Sequence, residues 1–203
     1  MKVNRTILRC GWPVALLFLA LPGTASAHTA ISGVGDFLDG VLHPLITPAH
    51  LLVLLSLGLL VGRQAPLNLK TPLAVFIPVS AVALGLTTTG VVKTVYPPVL
   101  VGIALVAGLL VAAGKPLPSA VLGAIFAGAA LALGLDSPVE TGSAWIIAKT
   151  LLGTWLGLML AVADVAYYLS FCTQQKWQQA GIRVAGSWIT AASFMILAFA
   201  LRR

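Results

Sequence analysis

The chain has 203 residues, of which 59% are hydrophobic and 8% are charged, and its mean hydropathy is +1.03. Soluble domains carry about 25% charged residues, so this composition excludes a soluble globular protein and indicates one helix bundle in a lipid bilayer. The net charge of +7 does not indicate nucleic-acid binding, because the basic residues are scattered at segment ends, where they anchor helices. Cys10 and Cys172 lie far apart and predict no disulfide framework.

Residues 1–27 have the pattern of a cleavable signal peptide. A basic start precedes an apolar core at 11–21 that is too short to span easily, and Ala25-Ser26-Ala27 forms a small-x-small cleavage site. An uncleaved anchor is the alternative. Cleavage would make His28 the mature N-terminus, where the α-amine and imidazole can chelate a metal ion once both are deprotonated. A solvated terminal histidine is the simpler interpretation.

Six apolar segments follow the leader and predict an all-α, polytopic membrane bundle for residues 28–203. They cover residues 37–61, 73–92, 98–113, 119–135, 143–171 and 182–201. Their apolar runs are continuous and lack the alternation of a membrane β-barrel. Some are near the short end of the ~20 residues that a helix needs to cross a bilayer. The pair Gly153-x-x-x-Gly157 predicts close helix packing.

Cleavage of the leader would place the mature N-terminus of this multi-pass protein outside the cytoplasm, and the loop charges agree with that orientation. The loops then placed inside, at 62–72, 114–118 and 172–181, carry basic residues in or beside them and no acid. The acids of the outer segments are Asp36, Asp39, Asp136 and Glu140. The terminal arginines would also lie outside and count against this orientation, so an odd number of spans is the alternative.

The first apolar segment opens with four titratable residues on one stripe. At about 100° per residue, Asp36, Asp39, His43 and His50 fall within an arc of roughly 60°. Asp39 and His43 are also an i, i+4 pair, adjacent on one face. Titratable groups are costly in a membrane segment and usually belong to a path or a site.

His43 and His50 would lie about 10.5 Å apart along an unbroken helix, too far to bind one metal ion at ~2 Å imidazole distances. Pro44 and Pro48 alter this, because each removes a backbone donor and an interior proline kinks a helix. Freed carbonyls near Gly40 and Pro44 could line a cavity, as broken helices do in transporters. The alternative is that both histidines make ordinary hydrogen bonds within the bundle.

Imidazole and carboxylate side chains suit Ni(II), Co(II) or Zn(II), and a weak site fits transport because the ion must also be released. Asp164, in the fifth segment, is a candidate for a step on the path or a polar contact inside the bundle. Lys149 is expected to snorkel. Asp136 and Glu140, in an outer loop, are expected to be hydrated, with the gathering of cations as the alternative. The sequence has no P-loop and no hydrolase, zinc-protease or Cys-x-x-Cys motif, so neither an enzyme nor a tightly bound cofactor is expected.

The chain resembles the HupE/UreJ family of bacterial membrane proteins over most of its length. The resemblance lies in the leader that ends before His28, in Gly40-Val-Leu-His43-Pro44-Leu-x-x-x-x-His50-Leu-Leu, in the six-span layout and in Arg183-Val-Ala-Gly186. It implies a secondary permease for nickel or cobalt, with Ni²⁺ or Co²⁺ as the transient ligand.

The chain also departs from the family pattern. The first motif of the family resembles His-Pro-x-x-Gly-x-Asp-His, but Thr47 replaces the glycine and Ala49 replaces the aspartate. The family's fourth-span histidine motif has no counterpart in residues 126–134. These losses leave a second class open, a non-transporting accessory subunit of a larger membrane complex. The sequence does not decide between a membrane-protein partner and a homo-oligomer.

Overall fold

The computed structural model describes residues 35–64, 68–90, 97–139, 142–173 and 175–202, which form seven α-helices and no strand. The helices are α1 Asp36–Ile46, α2 Pro48–Gly62, α3 Lys70–Thr87, α4 Pro97–Ala113, α5 Ser119–Leu135, α6 Ala144–Ser170 and α7 Lys176–Leu201. The prediction of an all-helical membrane bundle is confirmed. The predicted signal peptide and His28 lie outside the described residues.

The first apolar segment is a bent pair of helices. α1 and α2 meet at Thr47 with an angle of 74° between them. Thr47 has an extended conformation, which the following Pro48 favours because its ring clashes with a helical residue before it. The backbone N–H and the hydroxyl of Thr47 both donate to the carbonyl of His43, at 3.1 and 2.9 Å, and close α1. The predicted kink is therefore confirmed.

The other five apolar segments each correspond to one helix. α3, α6 and α7 are long and apolar enough to cross a membrane, and α1 with α2 makes a fourth candidate if the bent pair is one span. α4 and α5 are apolar but have 17 residues each, about 25 Å at 1.5 Å per residue. The described part of the chain is thus a multi-pass membrane protein with long and short helices.

α2 is the central helix of the bundle. It packs mainly against α6 and α4, and less extensively against α1, α5 and α7. Val53, Leu57 and Leu60 on α2 are fully buried, as expected for a helix that is apolar on all sides. α1 packs on α6, α3 on α5, and α4 on α7. The most extensive contacts therefore join helices that are distant in the sequence.

Glycines bring the backbones of α1 and α6 into direct contact. Gly40 faces the carbonyl of Thr150, and Gly153 faces the carbonyl of Phe37. A Cβ added at Gly157 would lie 2.5 Å from the carbonyl oxygen of Val41. Such close approach needs small residues, so the predicted packing role of Gly153-x-x-x-Gly157 is confirmed. This packing fixes α1, and with it His43, against the long helix α6.

Gly153→Val is expected to destabilise the protein by about 1–3 kcal/mol or more, because its side chain would collide with the α1 backbone. Thermal unfolding in detergent measures the effect. Gly128→Val is the matched control, since no atom lies within 4 Å of a Cβ added at that helical position. Equal unfolding temperatures for the two variants would contradict the packing described here.

Basic side chains gather at the end of the bundle where α2 and α4 finish. Arg63 donates to the carbonyls of Leu110, at 2.8 Å, and Lys115, at 2.7 Å, and Arg183 donates to Ala112 at 2.9 Å. These carbonyls belong to the last turn of α4 and the residues after it, where helical donors are lacking. Burial, and then the charge of Arg183, lower the pKa of Arg63 from its ordinary value, yet a guanidinium keeps its proton.

Candidate functional site

The helix break at Thr47 brings His43 and His50 together. Their ring centroids are 5.4 Å apart and the ring planes are at 81°. Without the break, the two Cα atoms would be separated by about 10.5 Å along the axis. With metal–nitrogen distances of about 2.1 Å, two imidazoles on one tetrahedral ion have centroids roughly 5 Å apart. The centroid distance therefore suits a shared ligand.

His50 is completely buried and makes a hydrogen bond to an acid on another helix. Its Nε2 lies 3.0 Å from Oδ2 of Asp136, whose side chain is 19% exposed. A carboxylate only accepts, so Nε2 carries the proton and donates it. Nδ1 of His50 is also buried and has no hydrogen-bond partner in the described residues. In the neutral ring this leaves the Nδ1 lone pair available to a ligand.

The sequence did not predict Asp136 as a partner of the histidines; it indicated an outer-loop acid that is hydrated or gathers cations. In the structure it is the residue that ends α5, and its backbone N–H donates to the carbonyl of Ala132 at 3.0 Å. It lies 86 positions from His50 in the chain. The one available signal was its place directly after an apolar segment, at the same end of the bundle as the histidines.

Asp36 and Asp39, the two predicted acids of α1, differ in their surroundings. Oδ2 of Asp36 lies 3.9 Å from Nζ of Lys149, and both side chains are about two-fifths exposed. Lys149 also lies 5.2 Å from the centre of the Trp145 ring. A pair this exposed contributes little to stability, but it places a cation beside one predicted ligand. Asp39 is half-buried, one turn before His43.

Asp164 is not brought to the histidine pair. Its side chain is exposed on α6, close in sequence to Tyr167, whose ring packs against that of Tyr168 at 5.6 Å. The next residue, Val165, packs on Gly58 of α2, about 12 Å along that helix from His50. Asp164 therefore lies beside the C-terminal half of α2, away from His50, and its side chain faces outward.

Within the described ranges, no group of three or more histidine, cysteine or acidic side chains is arranged to hold a metal ion. The site consists of two imidazoles, with a carboxylate hydrogen-bonded to Nε2 of one ring. Pro44 and Pro48 have no N–H, so the carbonyls of Gly40 and Pro44 lack their usual helical donors. Gly40 and Pro44 are both buried on α1, the helix that carries His43.

A family model described as HupE / UreJ protein matches residues 16–196, which is most of the chain. The chain belongs to the HupE/UreJ family. Comparison with curated proteins and with solved structures gives no significant match. Membership of HupE/UreJ associates the chain with nickel and cobalt transport at a membrane, and with a family of transporters and accessory proteins that is not a family of enzymes.

The site differs from the motif that resemblance to HupE/UreJ implies. His43, Pro44 and His50 are present, but position 49, where the motif has an aspartate, is Ala49. Asp136 supplies a carboxylate to His50 from α5 instead. The carboxylate beside the second histidine is thus present in this HupE/UreJ chain, but it comes from another helix.

Proposed function

We propose that the protein is a secondary permease for a divalent transition metal, nickel or cobalt, in a bacterial inner membrane. The observation that carries this proposal is the broken first span, which holds the His43 and His50 rings 5.4 Å apart within a membrane bundle. Imidazole nitrogen is a ligand type that binds Ni(II) and Co(II) well. Family membership supports the same ion class.

The ion enters from the end of the bundle that carries the acids. Asp36 and Asp39 at the start of α1, with His28 of the mature N-terminus, attract the cation and pass it to His43 and His50. Two protein ligands bind weakly, and weak binding suits transport because the ion has to leave the site as well as enter it. Asp164 takes no step in this scheme, since its side chain is exposed on the outer face of α6.

The charges at the two ends of the bundle support an orientation with the histidine pair toward the periplasm. Arg63, Lys115 and Arg183 lie at the end where α2 finishes, and Asp36 and Asp136 lie near the end where α2 begins. By the positive-inside rule the basic end faces the cytoplasm. The histidine pair then lies toward the periplasmic side, where an imported metal ion arrives.

Uptake into vesicles tests the proposal. The full chain is reconstituted into liposomes, and entry of ⁶³Ni²⁺ or ⁵⁷Co²⁺ down its gradient is measured without ATP. We expect saturable uptake above that of protein-free liposomes, inhibited by the other of the two metals and not by Mg²⁺, which prefers oxygen ligands. Uptake equal to that of protein-free liposomes would exclude a permease.

A second candidate function is that of a non-transporting subunit of a larger membrane complex. It is favoured by the finding that the described residues contain no three-ligand group suited to a metal ion. This function predicts no uptake by the purified chain, together with one stoichiometric membrane-protein partner after gentle detergent extraction. A chain that transports alone and extracts without a partner would exclude it.

A further inference from the structure

The structure assigns to Asp136 the role of positioning His50: its carboxylate fixes the ring so that Nδ1 faces the passing metal ion. This inference rests on the proposed transport function and adds a residue to it. It begins from the 3.0 Å contact between His50 Nε2 and Asp136 Oδ2. His50 is completely buried, so no water competes for that nitrogen.

The chemistry of metal-binding histidines explains why this contact matters. A histidine that binds a metal through one nitrogen almost always donates the other N–H to a carboxylate, a carbonyl or water. That bond fixes the tautomer and the ring orientation and makes the free nitrogen a better ligand. His50 has this arrangement already, since Nε2 is bonded to Asp136 and the buried Nδ1 has no partner among the described residues.

The carboxylate is held by a well-anchored part of the fold. The backbone N–H of Asp136 donates to Ala132, and the hydroxyl of Ser137 donates to Leu133 at 2.8 Å. Two residues earlier, a Cβ added at Gly134 would lie 2.5 Å from the Cβ of Ala83, so the end of α5 packs closely against α3. The backbone of Asp136 is thus held in place, so its carboxylate can fix the orientation of the His50 ring.

The acid also complements the ion electrostatically. A negative charge behind the ring favours a positive charge in front of it, and this effect is largest where water is excluded. Position 49, next to His50 in the chain, is alanine, so α2 itself provides no such acid there. Asp136 therefore provides from α5 what the helix that carries the histidine lacks.

Metal binding by purified full-length variants tests this role. Asp136→Ala is expected to bind Co²⁺ 10–100-fold more weakly than the wild type, the usual cost of losing such a partner. Asp136→Asn keeps the shape and one acceptor oxygen and should lie between the two. Asp136→Glu keeps the carboxylate and should restore most of the affinity. Ser56→Ala, which removes a buried hydroxyl of α2 that donates to the carbonyl of Val53, is the matched control and should bind like the wild type.

A second readout needs no metal. The chain has three histidines, so ¹⁵N-histidine labelling gives at most three ring spin systems, and His50→Gln assigns one of them. The ¹⁵N shifts of His50 should report a proton on Nε2 in the wild type and in Ser56→Ala, and a mixture of tautomers in Asp136→Ala. A merely structural hydrogen bond would change stability but would not couple tautomer to affinity in this way.

The outcomes separate the two proposals. If wild type and Asp136→Ala bind Co²⁺ equally and keep the same tautomer, the role of Asp136 is wrong while the permease remains. If the wild type binds neither Co²⁺ nor Ni²⁺, both proposals fail. If the Asp136 series shows the graded loss and the tautomer shift together, the inference is supported.

Discussion

His50→Ala is expected to reduce metal uptake by at least the 10–100-fold that loss of an outer partner of a metal ligand costs, because it removes one of two imidazoles. It should also destabilise the protein by about 1–3 kcal/mol, since the carboxylate of Asp136 loses its partner. Vesicle uptake and thermal unfolding in detergent measure the two effects separately.

Two further variants serve as comparisons for this prediction. His43→Ala should reduce uptake to a similar extent with a smaller loss of stability, because His43 is only half-buried. Ser56→Ala removes a buried hydroxyl from α2 that donates to Val53, and it should transport within about twofold of the wild type, a difference of under 0.5 kcal/mol. Wild-type uptake by both histidine variants would show that the ion takes another route.

Pro48→Ala is expected to reduce Co²⁺ affinity and uptake at least tenfold, equivalent to about 1.4 kcal/mol, although both histidines remain. The new N–H at position 48 can bond the carbonyl of Pro44, and Thr47 is freed to become helical. A helix that continues through position 47 moves the two imidazoles toward a separation of about 10.5 Å along its axis.

Pro78→Ala provides the control for the removal of a proline from a helix. Pro78 lies inside α3, and its replacement should leave affinity and uptake close to those of the wild type. The distance between spin labels on α1 and α2 should increase in Pro48→Ala and stay constant in Pro78→Ala. A longer distance without any loss of affinity would mean that the bend is not needed to form the site.

The sequence predicts the helices of this bundle well because continuous apolar runs and prolines are local signals. The segment predicted at 119–135 matches α5 residue for residue, and Pro44 and Pro48 predicted the break at Thr47. The sequence does not predict which helices pack together, since an apolar helix face in a membrane does not specify which other apolar face it contacts. The packing of α1 on α6 and of α4 on α7 is seen only in the three-dimensional structure.

The same distinction separates the site residues that were predicted from those that were not. His43 and His50 were found because two histidines and two prolines are conspicuous in an apolar segment. Asp136 was missed because its partner is 86 positions away. The ligand roles of Asp36 and Asp39 stay predictions. The path role of Asp164 is untested, and the proposed route does not use it because its side chain is exposed. His28 lies outside the described residues.

Helices that contact each other are far apart in the sequence, and this has a consequence for biosynthesis. The hydrogen bond between His50 and Asp136 cannot form until α5 has been made, and the glycine contacts of α1 wait for α6. During translation, at about 5–20 residues per second, the first span therefore spends several seconds in the translocon or lipid with its imidazoles and acids unmatched. A chaperone or insertase that shelters nascent polar spans would be needed most for this segment. A ribosome that stalls before α5 would leave a fragment that is prone to proteolysis.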